Sequence, residues 1–173
     1  MSVSISSINY CPVKSISFQT VSDCKIRKNI GIVGDRVFAF SKGLESNQAQ
    51  LFEKNLDERR GKWNKILTLK NSPMLNKYNF KFKDNKLTFT EKNNEILTID
   101  VSKTSEYDLL SNKILELENS LQKPIFLMKN VDIPFFDTSI SNKTVLNHSI
   151  SFLNNKSIED IEKKTNQIIE PQR

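Results

Sequence analysis

From Tyr78 to Val101 the chain reads YNFKFKDNKLTFTEKNNEILTIDV, and the periodicity of these residues sets the kind of fold to expect. Tyr78, Phe80 and Phe82 alternate with Lys77, Asn79, Lys81 and Lys83. Because side chains of a strand point alternately to its two faces, the rings share one side and the lysines the other. Strand-like runs follow at Lys86 to Phe89 and Ile96 to Val101, separated by turn pairs at Asp84-Asn85 and Asn93-Asn94. The spacing predicts a three-stranded meander with a core-facing aromatic face and a solvated exterior. A nucleic-acid platform, in which rings stack bases beside cations that track phosphates, is not expected, because the stacking face lacks the charges.

Upstream, the same period recurs in shorter pieces. Val3 to Tyr10 alternates until Pro12 stops it, and Ile16 to Val21 and Cys24 to Arg27 follow. Gly31 and Gly34 bracket a turn that needs positive φ, ahead of a strand predicted over Arg36 to Phe40. Leu44 to Trp63 is polar and poorly periodic, so a long surface excursion with a short helix around Gln48 to Lys54 is expected, before a strand at Ile66 to Leu69. Downstream, the period changes. Ser105 and Glu106 open a helix of roughly four turns, with Tyr107, Leu110, Ile114, Leu117 and Leu121 on one stripe. Pro124 ends that region, Ile125 to Met128 reads as a strand, and Ser157 caps a last helix over Ile158 to Asn166. The expected class is α+β, mostly β, with a barrel-like sheet over residues 1–102, a connecting helix over 103–123 and a further unit over 124–173.

The bulk properties narrow the function. A chain of 173 residues holds one substantial core, or a barrel of about 100 residues and part of a second domain. Mean hydropathy is -0.47, but eleven Phe supply burial that aliphatic residues would otherwise provide. No apolar run reaches the roughly 20 residues that span a bilayer, and Met1 to Tyr10 lacks the layout of a secretory signal, so a cytoplasmic protein without a membrane partner is expected. In that compartment Cys11 and Cys24 are reduced thiols. A single histidine, His148, rules out sites built on two imidazoles. The formal charge of +6 is uneven: residues 1–105 carry 18 basic and 10 acidic side chains, residues 106–173 carry 8 and 10. An anionic ligand therefore belongs with the first part.

Two short motifs could hold one. Pro12-Val13-Lys14-Ser15 presents an ammonium and a hydroxyl from a corner that proline stiffens. Gly34-Asp35-Arg36 places a guanidinium fork after a glycine turn, with a carboxylate beside it to orient the fork. Taken singly, each also describes an ordinary surface turn, a solvated lysine in one case and an Asp-Arg pair closing a hairpin in the other.

Taken in this order, the residues Ile8-Asn9-Tyr10-Cys11-Pro12-Val13-Lys14-Ser15 and Gly31-Ile32-Val33-Gly34-Asp35-Arg36-Val37-Phe38 resemble the opening of the MOSC N-terminal β-barrel domain. Cys11 departs from the aromatic residue usual before that Pro-Val-Lys-Ser. Phe135-Phe136-Asp137, then Val145 to Ile150 and Leu153-Asn154, are similar to the start of the MOSC domain proper, and Ile169 to Arg173 to the approach to its Arg-Phe-Arg-Pro-Asn segment. The resemblance implies a molybdenum cofactor whose molybdopterin phosphate is bound by Lys14, Ser15 and Arg36, with Ser149 near the pterin. In complete relatives such as the mitochondrial amidoxime-reducing component it implies a molybdenum-dependent oxidoreductase acting on N-hydroxylated compounds and served by a redox partner protein. The family's metal-ligating Cys falls beyond Arg173, so no catalytic or metal-ligating residue is assigned, and a C-terminally truncated form is expected. The rival expectations are a noncatalytic cofactor carrier or anion-binding β module, and a cofactor sulfurase-like protein.

Overall fold

The computed structural model describes residues 4–16, 18–28, 30–136 and 154–168. Among them the order is β1 (Ile8–Tyr10), β2 (Gln19–Val21), β3 (Ile26–Arg27), β4 (Gly31–Ile32), β5 (Phe38–Phe40), α1 (Ser46–Lys54), α2 (Leu56–Arg59), β6 (Tyr78–Lys83), β7 (Lys86–Glu91), β8 (Asn94–Asp100), α3 (Tyr107–Leu117), β9 (Leu127–Lys129) and α4 (Asn155–Thr165). The class is α+β. The barrel-like closure expected from the sequence is absent among the described strands, which form four separate sheets: β1-β2, β3-β4, β5-β9 and β6-β7-β8. All four are antiparallel. Strands of two or three residues offer too few ladder bonds to carry one sheet around a full circuit.

The meander is the most regular part, as its alternation predicts. Tyr78, Phe80, Leu87, Phe89 and Ile99 are buried, while Lys77, Lys81 and Lys83 are exposed. The rings of Phe80 and Phe89 stack at 4.8 Å, with Tyr78 tilted against Phe89 at 4.9 Å. Asp84 and Asn85 make the first turn at φ 50° and 58°. The second turn lies one residue earlier than expected, at Lys92-Asn93, and a register shift at Phe89/Thr90 absorbs the difference. Helix α3 packs Leu110 and Ile114 onto this sheet together with Val13, Phe38 and Phe40. It is shorter than the stripe suggested and follows a 3-10 turn at Thr104–Glu106.

Strand β5 divides two cores. Phe38 and Phe40 face the meander, whereas Ala39 points the other way, into a cluster with Leu44, Ala49, Phe52, Ile66, Met128 and Phe135. Its partner β9 repeats the division through Leu127 and Met128. This second core corrects the reading of Leu44 to Trp63 as a surface excursion. Helix α1 is closed by a capping box in which the Glu45 N–H donates to Gln48 Oε1 at 3.1 Å, and α1 and α2 together cover the cluster. Other bounds shift too. The strands expected at Ile16 to Val21 and Arg36 to Phe40 shrink to Gln19–Val21 and Phe38–Phe40, and that at Ile66 to Leu69 reduces to one bridge, Ser41 to Ile66. The last helix is capped by the Asn154 side chain, which accepts from the Lys156 N–H, and not by Ser157.

Candidate functional site

The two motifs lie against each other. Residues 11–14 run parallel to 36–38: Cys11 O accepts the Arg36 N–H at 2.6 Å, Pro12 O accepts that of Phe38 at 3.0 Å, and Phe38 O accepts that of Lys14 at 2.8 Å. Val13 and Phe38 form the bridge between them and bury their side chains in the larger core. Proline costs nothing here, because the ladder uses its carbonyl and not the amide proton it lacks. Asp35 adds a side-chain link, with Oδ1 accepting the Cys11 N–H at 2.8 Å and Oδ2 the Arg36 Nη1–H at 2.5 Å.

Arg36 and Ser15 both have left-handed backbones, at φ 52° and 60°. Gly34, at φ +95°, turns the chain directly beneath Tyr10, whose ring would stand 3.3 Å from a β-carbon there. Burial, with Asp35 nearby, pushes the Tyr10 phenol up, so it stays neutral near pH 7.

The side chains take different neighbours. Lys14 is only 2% exposed, and its Nζ stands 5.5 Å from the Trp63 ring centroid, on the side of the second core. The Arg36 guanidinium lies over Phe136 at 5.3 Å, with about a third of the side chain open to solvent. Ser15 is half-buried. The fold thus joins the backbones of the two motifs. The side-chain ends expected to form one cationic cradle are not brought together: Arg36 lies over Phe136 and meets solvent, whereas Lys14 is buried against Trp63. Ser149, with His148 beside it, lies outside the described residues.

These residues suit an anion. The Arg36 fork gives one N–H to Asp35 and has further N–H groups, about a third of the side chain being open to solvent. Among the described residues no group of three or more His, Cys, Asp or Glu is arranged to hold a metal ion. Both cysteines are thiols without a disulfide, Cys11 buried and Cys24 half-buried. No helix among the described residues is long and apolar enough to cross a membrane.

Sequence reasoning missed two features. Arg59 is fully buried and donates to the carbonyls of Phe52 (2.7 Å), Ile133 (2.6 Å), Pro134 (3.1 Å) and Glu53, with its guanidinium 4.0 Å from the Phe135 centroid. Burial, partly offset by Glu53, pushes it down to about 10, which still leaves it charged at neutral pH. The other is Glu118, 8% exposed, whose Oε1 accepts from the Tyr78 hydroxyl at 2.7 Å and from Lys77 Nζ at 2.6 Å. Burial pushes Glu118 up, but those two donors outweigh it and the net direction is down. No sequence period marks either residue. A hollow of about 570 Å³ borders Lys77 and Tyr78, between Pro73, Met74, Asn76 and Asn79 and the Lys92-Asn93 turn, and shares no residue with the paired corners.

Comparison of the chain with protein-family models, with curated proteins and with solved structures finds no match.

Proposed function

We propose that the paired corners bind the phosphate end of a molybdopterin-type cofactor, and that the chain is a MOSC-type protein. One observation carries the reading: the two motifs on which the resemblance rests are hydrogen-bonded side by side through Cys11, Pro12, Lys14, Arg36 and Phe38. Two hairpin corners about 20 residues apart in sequence have no local reason to be so paired.

In this proposal Arg36 donates to phosphate oxygens, Ser15 adds a hydroxyl at the rim, and Lys14 stabilises the anion electrostatically from within. Ser149 is assigned to the pterin by resemblance alone. Asp35 holds the Arg36 fork in place and lowers the net charge of the corner. The cofactor, when bound, supplies two-electron redox chemistry at molybdenum, and the residues named here position it. Reduction of N-hydroxylated compounds with a redox partner protein, in the cytoplasm, is the activity extrapolated from the resemblance. A noncatalytic anion-binding module uses the same corner and differs only in what it carries.

The test is the molybdenum and pterin-fluorescence content of protein purified from a host that makes the cofactor, for wild type and Arg36→Gln. Stoichiometric cofactor that Arg36→Gln loses supports the proposal. Absence of cofactor, with inorganic phosphate still bound through Arg36, favours the anion-binding module. Absence of both overturns the site.

A further inference from the structure

Arg36 is held from four directions. Its N–H donates to Cys11 O, its carbonyl accepts the Phe135 N–H at 2.8 Å, its Nη1 meets Asp35, and the Phe136 ring lies under its guanidinium. Two of these contacts come from consecutive residues, Phe135 and Phe136, and the stretch from Ile133 to Phe135 is itself held by Arg59. Arg59 donates to the carbonyls of Ile133 and Pro134 and stacks on the Phe135 ring. A buried guanidinium with four carbonyl partners is a rigid anchor, because releasing any of them leaves a polar group unsatisfied in the interior.

We infer that Phe136 is a positioning residue for the anion site: its ring fixes where the Arg36 guanidinium is held, and Arg59 anchors the backbone just before it at Ile133 and Pro134 and the ring of Phe135. Two arginine–phenylalanine contacts fall on consecutive residues, Arg59 on Phe135 at 4.0 Å and Arg36 on Phe136 at 5.3 Å. The aromatic face attracts a cation without consuming its N–H donors, so Arg36 is oriented while its fork stays available to an oxyanion. Asp35 already takes one N–H of the fork, and a phenyl ring takes none of the others. For its ligand this inference rests on the anion-binding reading above, and its geometry is tested separately.

The experiment uses the full chain and two readouts, affinity for inorganic phosphate at low salt and the NMR shift of the Arg36 Nε–H. That shift carries a ring-current displacement while the guanidinium sits on Phe136. Phe136→Leu should weaken phosphate binding about three- to tenfold and abolish the displacement, with the dispersion of the other amide signals retained. Phe136→Tyr should preserve both. Arg59→Lys should reduce the displacement as well, and if that variant fails to fold the two Phe136 variants carry the test. Wild-type affinity and an unmoved Arg36 signal in Phe136→Leu would overturn the inference. If wild type binds no phosphate, the anion reading fails, and the Arg36 signal alone decides whether Phe136 positions it.

Discussion

Asp35 reaches back across 24 residues to the backbone of Cys11, its Oδ1 accepting the Cys11 N–H at 2.8 Å while Oδ2 takes the neighbouring Arg36. One carboxylate thereby caps the end of the parallel pairing and orients the guanidinium. The two roles separate on substitution. Asp35→Ala should destabilise the protein by about 1–3 kcal/mol, since the Cys11 amide is left without its acceptor in a buried position. Asp35→Asn keeps an oxygen for that amide and should lose less, about 1 kcal/mol, and the difference is read from urea unfolding of the two variants.

Gly34→Ala tests the turn beneath Tyr10. An alanine at φ +95° is strained, and its methyl would crowd the Tyr10 ring from 3.3 Å. A loss of about 1–2 kcal/mol is expected, which lowers Tm by about 2–4 °C per kcal/mol in a chain of this size. A melting temperature equal to wild type would contradict the turn geometry.

Arg59→Met should cost more than about 3 kcal/mol, because it removes the donor to four carbonyls while leaving them buried. Arg59→Lys keeps the charge but not the fork, and an ammonium cannot reach partners on both 52–53 and 133–134. Both variants should shift the urea midpoint far below that of any exposed lysine variant, such as Lys81→Met.

Asp100 supplies a pH signature. The Ser102 hydroxyl and backbone N–H donate to its carboxylate, and with Lys86 nearby they hold it down to about 2, against an ordinary value of 3.8. A folded-state value below the unfolded one means that this carboxylate stabilises the fold above about pH 4 and loses that contribution as pH falls toward about 2. Asp100→Asn should therefore flatten the acid limb of stability between those values, as followed by circular dichroism.

Thiol reactivity separates the two cysteines. Cys11 is 2% exposed with Sγ 2.7 Å from Val13 O, whereas Cys24 is partly open. A disulfide-exchange reagent should titrate one thiol per native chain quickly and the second only on unfolding. Cys24→Ser should remove the fast phase.

How much of this was legible depends on how far apart the partners lie. The rings and lysines of Tyr78 to Lys83 segregate as their alternation says, and the Asp84-Asn85 turn falls where its residue types put it, because both follow from adjacent residues. The paired corners were singled out as candidates, but their pairing was not readable: it depends on bonds between Cys11 and Arg36 or Pro12 and Phe38 that no local pattern encodes. Nor was the burial of Lys14, since a lysine after Pro-Val reads as a solvated turn until Trp63 is brought over it. The second core went unseen because Ala49 and Phe52 are too few to make a helical period, and the buried side chain packed on its Phe135 is an arginine.

The sequence by itself determined the α+β class, the meander, the helix after Val101 and the basic bias of the first 105 residues, all of which follow from spacing and composition along the chain. The tertiary structure alone decided that the described strands form four separate sheets, that Ala39 and Phe40 serve different cores, and that Arg36 rests on Phe136 while Arg59 holds the residues just before it. The reason is physical: period and turn chemistry are properties of neighbours in the chain, whereas sheet closure, burial of a charge and the stacking of a guanidinium depend on which distant surfaces exclude water together.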